Sequence, residues 1–360
     1  MISLDKENLN MDDYLSLALA INDGVSTRSV LPLQFREKLA EYFNVSSDQL
    51  ILTNSCTSAL HLALISAGVK AGDNVILPVL TFAATANAIK YLGANPIFCD
   101  VDKDEWLIDY KMLSELMEYY YRVAAVLPVD LYANIVDIDK IHSLELIQCD
   151  ETKIIVDAAE SFGNRINNIN ADYICYSFNG NKIITAGAGG LIIKNDNSSN
   201  CDLNCISKQG RFYDGDFSID VGYNYQMPGL NAALGLSQFA KIDNFLDRKR
   251  QITSIYHNEL SNILCFQKLL SHKLSFWLVS ALLPDKYDVV KFQRKLAEYH
   301  IPTRRIFRPL NQSKPFADGK SYPIAEYIYD NGICLPSSTV CSNDDIYKIC
   351  EIIRKVLCDA

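Results

Sequence analysis

This sequence has no surplus of positive charge, no C-x2-C pair, no G-x-G-x-x-G fingerprint after its first strand-like run and no stretch of about twenty apolar residues. Each absence removes a class of function. With 34 Lys and Arg against 43 Asp and Glu, a net charge of −9, the chain lacks the clustered cations that hold nucleic acid by releasing counterions. No nucleic-acid partner is therefore expected. The 11 cysteines are odd in number and spread from Cys56 to Cys358. Cys201 and Cys205 are the closest pair, with no matching Cys or His pair behind them, which argues for reduced thiols and against both a disulfide framework and a metal site. The opening MISLDKENLNMDDYLSLALA carries charges within and after its short apolar stretch, unlike a signal peptide. A cytoplasmic protein with no membrane partner is the expectation. The missing glycine fingerprint disfavours a dinucleotide-binding dehydrogenase.

What the chain does contain is a globular composition, 49% hydrophobic and 21% charged over 360 residues, long enough for a large domain and a smaller one. From residue 50 onward, short apolar runs alternate with helical periodicity, the pattern of β-α units that build a mainly parallel sheet. NVILPVL (74–80), PIFCDV (96–101), AAVLPV (124–129), KIIVDAA (153–159), YICYSF (173–178) and GGLIIKND (189–196) read as strands, and Thr57 to Gly68 reads as a helix. After about residue 235 the texture changes to one long amphipathic helix over 239–260, a strand-like FWLVSALL (276–283) and two further helical stretches. The expected architecture is α/β: a three-layer α/β/α large domain over 1–240 and a smaller C-terminal α/β domain over 241–360. No repeat or low-complexity linker separates them, so the two should pack intimately.

Three stretches carry residue types suited to chemistry. In LTNSCTSALHLAL (52–64) a strand end runs through small polar residues into a helix. Free N–H groups there, beside the hydroxyls of Ser55, Thr57 and Ser58, can hold a phosphate or simply cap the helix. In IIVDAAES, Asp157 ends an apolar strand, the edge at which open α/β sheets hold ligands. A carboxylate in that position either pairs with a cation such as a protonated pyridine nitrogen or caps the turn after the strand. In SFNGNKIITAGAGG (177–190), Lys182 follows a strand and precedes a Gly/Ala run that lets the backbone approach a flat ligand. A desolvated lysine loses its proton readily and becomes a nucleophile toward an aldehyde, although most lysines are solvated surface residues.

These stretches, with Thr81-Phe82, GYNYQMPGLNAALGLSQ (222–238) and GICLPSS (332–338), follow a recognisable order. From about residue 30 to 357 the chain resembles the DegT/StrS-type sugar-nucleotide aminotransferases, which are fold-type I pyridoxal-phosphate enzymes. The resemblance implies pyridoxal 5'-phosphate as cofactor, with Lys182 forming the Schiff base and shuttling protons and Asp157 pairing with the ring nitrogen. It implies that Phe82 stacks on the ring, against the alternative of plain core packing, and that Glu160 lies near the ring hydroxyl. Cys56, Thr57 and Ser177 would hold the phosphate, and Asn224 would reach in from the second subunit of a homodimer with shared active sites.

The same resemblance implies two half-reactions, in which L-glutamate gives its amino group and a nucleotide-linked keto-sugar receives it. Family members that remove a hydroxyl instead carry His in place of the lysine. DAAES with SFNGNKIIT is most similar to the branch that aminates C4 of UDP-linked 2-acetamido-4-keto-6-deoxy sugars for bacterial surface glycans such as O-antigen. Viosamine- and perosamine-type enzymes, aminating C4 or C3 of dTDP- or GDP-linked keto-6-deoxy sugars, are neighbours. A catalytically silent pyridoxal-binding regulator is the alternative of a different class, and it would be expected to lack Lys182 or Asp157. Arg304, Arg305 and Arg308 either hold the substrate diphosphate or form a solvated edge after a helix. The chain departs from the family in a shortened segment after Gly163, in Asp130 where His is usual, in Ala133 where Gly is usual, and in a short N-terminal substrate loop.

Overall fold

A computed structural model of the protein describes residues 2–120, 122–132, 134–144, 152–164, 170–195, 202–212, 221–271 and 274–358. Helix α1 (Met11–Asp23) starts on an Asn10 capping box, and α2 (Leu31–Phe43) carries a proline in its first turn. The large sheet then forms from β1 (Leu50–Thr53), β2 (Asn74–Pro78), β3 (Asn95–Cys99), β4 (Val123–Val126), β5 (Lys153–Asp157), β6 (Tyr173–Ser177) and β7 (Gly190–Lys194). Between the early strands lie α3 (Cys56–Ser66) and α4 (Ala83–Tyr91). Of the central strands, β5 is Ile/Val-rich and buried beyond Lys153, and β6 is buried along its whole length, as expected of a sheet covered on both faces.

The strand order is β1-β7-β6-β5-β4-β2-β3. Only β7 runs against its neighbours; the other adjacent pairs are parallel. The C-terminal ends of β1, β2, β4, β5 and β6 therefore gather at one edge with the start of β7, and that is where an α/β sheet offers a crevice.

A second sheet holds β8 (Cys265–Phe266), β9 (Val279–Leu282), β10 (Arg304–Arg305) and β11 (Gly332–Leu335) in the order β10-β11-β9-β8, antiparallel throughout. It shares a core of Ile252, Tyr256, Leu260, Ile346, Ile349 and Ile353 with the helices Ile242–Leu260 and Asn343–Cys358. Trp277, Ile306 and Tyr322 instead join the core of the large sheet, so the two lobes meet on shared apolar packing. The N-terminal segment clasps this seam. Ser337 N donates to Leu4 O at 2.8 Å, Ser338 Oγ to Lys6 O at 2.6 Å, and Gln238 Nε2 to Asn8 O at 3.1 Å.

Several expected boundaries move. The single helix expected over 239–260 is the end of one helix, Gly229–Phe239, and the whole of another, Ile242–Leu260. Between them Lys241 leaves helical geometry, and its ammonium reaches the buried Asp13 at 2.6 Å. The strand expected over 276–283 shortens to β9, because Phe276 takes a positive φ of 48° and Trp277 N turns to Tyr132 O. Three helices follow, Val289–Glu298, Pro323–Asn331 and Asn343–Cys358, where two were expected. Among the described residues no helix is long and apolar enough to cross a membrane, and the cysteines are free thiols.

Candidate active site

The crevice at the strand ends is a cavity of about 330 Å³, near the lower end of the ~300–1,000 Å³ usual for ligand pockets. Asp157, the last residue of β5, sits in its wall and is buried. Thr85 Oγ1, from the first turn of α4, donates to Asp157 Oδ2 at 2.7 Å, and Ala159 N donates to Oδ1 at 3.1 Å. Burial still holds this carboxyl above its ordinary pKa, so a cationic partner would be strongly favoured beside it.

Lys182 lies in the loop between β6 and β7, held by a turn in which its N–H donates to Asn179 O at 3.0 Å. The loop re-enters the sheet through Gly187, whose φ of 74° suits glycine. The Lys182 ammonium faces Glu160 Oε1 at 3.8 Å and the ring of Trp277 at 3.7 Å from its centroid. Burial pulls its pKa down, against the pull of Glu160 and Asp157 in the other direction. Glu160 takes the N–H of Tyr132 at 2.8 Å on its other oxygen, and burial pushes its pKa up to about 7.

At the opposite wall α3 begins, capped by Ser55 Oγ accepting from Ser58 N at 3.1 Å. Ser55, Cys56 and Thr57 line the cavity there, with Ser177 at the end of β6. The Cys56 thiol is turned inward, donating to Cys175 O at 3.7 Å, and burial raises its pKa well above normal. Cys56 therefore offers backbone at a helix start and no thiolate. Phe82 is 61% exposed, its ring 5.8 Å from that of Phe307, so it is no core residue.

The three arginines do not converge. Arg304 lines the cavity, stacked over Trp277 and Phe307. Its strand neighbour Arg305 points to the other face, as alternation in β10 requires, and bonds Tyr329 O. Arg308 Nε donates to Tyr329 OH at 3.3 Å. Asn224 also lies outside this cavity. It lines a separate one of about 710 Å³ with Arg28, Arg36, Lys208 and Arg211. The departure at Asp130 is a brace: buried, it accepts from Ser161 Oγ at 2.6 Å and Val136 N at 2.8 Å, steadying the DAAES turn. Ala133 and residues 165–169 of the segment between Gly163 and Tyr176 lie outside the described residues.

Sequence reading missed Thr85, Tyr132 and Trp277. The Trp277 indole N–H donates to Asn181 O at 2.7 Å, and its ring is parallel to that of Tyr132 at 6.4 Å. Its carbonyl accepts from the buried Lys249 ammonium at 2.7 Å. Nothing local in FWLVSALL marks this ring as anything but core.

One cavity thus joins an anion-ready helix start, a buried carboxylate short of a cation and a desolvated lysine. These answer the phosphate, the pyridine nitrogen and the aldehyde of pyridoxal 5'-phosphate, and the residues fit that cofactor. The model of the DegT/DnrJ/EryC1/StrS aminotransferase family matches residues 16–354, starting within α1. The GDP-perosamine synthase of Escherichia coli O157:H7 is 33% identical over 342 residues, 93% of this chain and 92% of that protein. The UDP-4-amino-4,6-dideoxy-N-acetyl-beta-L-altrosamine transaminase of Campylobacter jejuni subsp. jejuni serotype O:23/36 is 32% identical, over 72% of this chain and 69% of that protein. Two solved structures share the fold at 21% identity: Helicobacter pylori PseC, with a TM-score of 0.90 over 100% of each chain, and Spr1654 of Streptococcus pneumoniae in a PLP form, with a TM-score of 0.89 over 99% of this chain and 98% of that one. By a family match over nearly its whole length, this chain belongs to the DegT/DnrJ/EryC1/StrS aminotransferase family and is a pyridoxal-phosphate-dependent aminotransferase.

Proposed function

We propose that the enzyme moves an amino group from L-glutamate to the C4 keto carbon of a nucleotide-linked 4-keto-6-deoxy sugar, acting as a cytoplasmic homodimer in surface-glycan synthesis. The observation that carries the reading is the single buried cavity shared by Lys182, Asp157, Glu160 and Arg304. Two relatives support the substrate class. One is named for a UDP-linked 4-amino-4,6-dideoxy sugar and favours a UDP-2-acetamido substrate. The other, a GDP-perosamine synthase aligned over 93% of this chain, favours a GDP-linked sugar as the second reading.

In this reading Lys182 would bond the cofactor, Asp157 would pair with its ring nitrogen, and Phe82 would stack on the ring. Glu160 would lie near the ring hydroxyl. Backbone N–H groups at Cys56 and Thr57, with the Ser177 hydroxyl, would hold the phosphate, and Asn224 of a second copy would complete that site. When bound, pyridoxal 5'-phosphate supplies an aldehyde and a protonated ring that draws electrons from the reacting carbon. Burial lowers the Lys182 pKa and so eases loss of its proton, and the freed amine would take a proton from the reacting carbon and return it one atom away. Trp277 and Phe307 line the same cavity and would help to keep water from that path.

Turnover of L-glutamate with a panel of UDP-, dTDP- and GDP-linked 4-keto-6-deoxy sugars tests the proposal. Amination of one of them at C4 is expected. Glutamate-driven conversion of the cofactor with no sugar accepted would reject the substrate class, and a protein inert to glutamate would reject the reaction.

A further inference from the structure

Arg304 is short of partners where it lies. Its guanidinium carbon is 4.9 Å from the Trp277 ring centroid and 5.6 Å from that of Phe307, and its Nε and Nη2 are buried with no hydrogen-bond partner among the described residues. Those two nitrogens share one edge of the guanidinium, the fork that takes both oxygens of a planar oxyanion. Buried donors left unpaired cost free energy, so this unpaired edge suits a ligand. The far nitrogen, Nη1, faces Asp5 Oδ2 at 3.9 Å. The same Asp5 oxygen accepts from Asn181 Nδ2 at 3.0 Å, and Asn181 is the neighbour of Lys182.

Asp5 belongs to the N-terminal segment that clasps the seam between the lobes, upstream of the family match that begins at residue 16. Resting on the aminotransferase reading, we propose that the Nε/Nη2 edge of Arg304 receives the carboxylate of the amino donor. Asp5 is the counter-charge behind it, a positioning residue that keeps the hold weak enough for the oxo-acid product to leave.

Geometry selects the carboxylate. Lys182 Nζ and Arg304 lie over the same indole ring, at 3.7 Å and 4.9 Å from its centroid. In an α-amino acid one carbon separates amine from carboxylate, so the carboxylate group's partner must sit beside the lysine that exchanges with the amine. A sugar diphosphate lies a ring's width from C4. Weak holding follows from the two half-reactions, because the same cavity must empty before the second substrate enters. A carboxylate at the fork has the Asp5 charge across the guanidinium from it, and that repulsion raises its rate of escape.

Calorimetric titration of the cofactor-loaded protein with glutarate, a dicarboxylate without an amine, reads this subsite with no turnover. Asp5→Asn is expected to tighten glutarate by about three- to tenfold and to lower the KM for L-glutamate by more than kcat changes. Placed in an Arg304→Lys background, Asp5→Asn should leave glutarate affinity within about twofold of Arg304→Lys alone. Unchanged or weaker glutarate binding in Asp5→Asn overturns the proposal, and so does undiminished tightening in the Arg304→Lys background. Inorganic pyrophosphate is titrated in parallel, and tightening for pyrophosphate alone overturns the carboxylate assignment. A protein that converts L-glutamate yet ignores Asp5→Asn sinks this inference only, whereas one that converts no amino acid sinks the reading beneath it.

Discussion

The ammonium of Lys182 lies 3.7 Å from the centre of the Trp277 ring, so the lobe that carries β9 closes over the lysine carried by the large sheet. A ring face attracts a cation. Burial nevertheless lowers the Lys182 pKa, against the opposing pull of the Glu160 and Asp157 carboxylates. The reactive amine is thus a property of the seam between lobes, and changes on either side should be felt there.

The purified enzyme should show the visible absorbance of lysine-bound pyridoxal phosphate, and L-glutamate should bleach it. Lys182→Ala is expected to lose that band and to lower kcat/KM by at least about three orders of magnitude. An unaltered spectrum in the variant would remove Lys182 from its role.

Thr85→Val deletes the 2.7 Å bond to Asp157 without changing shape. A bond to a charged group is worth about 1.5–3 kcal/mol, so kcat should fall by about tenfold or more while the fold persists. Asp157→Asn should cost more. Equal turnover by wild type and Thr85→Val, at matched cofactor occupancy, would show that the hydroxyl does not tune the carboxylate.

Glu160 makes stability depend on pH. Its folded pKa, pushed up to about 7 by burial, exceeds the ordinary 4.5, so between those values the native state keeps a proton that the unfolded chain has released. Stability from this group is therefore full below pH about 4.5 and is lost as pH rises to about 7, by up to about 3 kcal/mol. Urea unfolding of the cofactor-free protein at several pH values should show that slope, and Glu160→Gln should flatten it. Identical slopes would place the titration elsewhere.

Trp277→Phe keeps a ring against Tyr132 and Phe307 but loses the N–H bond to Asn181. Destabilisation of about 1–2 kcal/mol is expected, together with a raised KM for the amino donor as Asn181 and Arg304 lose their setting. A variant with unchanged KM would make the tryptophan a packing residue alone.

Asn224 lies outside the cavity of its own chain, beside Arg28 and Arg36. If a second copy carries it into the active site, mixing inactive Lys182→Ala and Asn224→Ala chains should restore part of the activity, because one of the two sites in each heterodimer is intact. Verified heterodimers with no recovery would exclude shared sites.

Sequence alone determined the features that local chemistry fixes. Apolar strands end in Asp157 and Ser177, a capped helix starts at Ser55, and a lysine sits in a Gly/Ala-rich loop; all are read within a few residues of themselves. Only tertiary structure decided which distant groups face them. Thr85 reaches Asp157 across 72 positions, Trp277 covers Lys182 from the other lobe, and Asp5 meets Arg304 from a segment that no motif marks. Strand pleating likewise sent Arg305 away from the cavity that Arg304 enters, though the two adjoin in sequence. Periodicity reports which face of an element is apolar, while the partner against that face is set by chain topology, and topology is not written in any single window of residues.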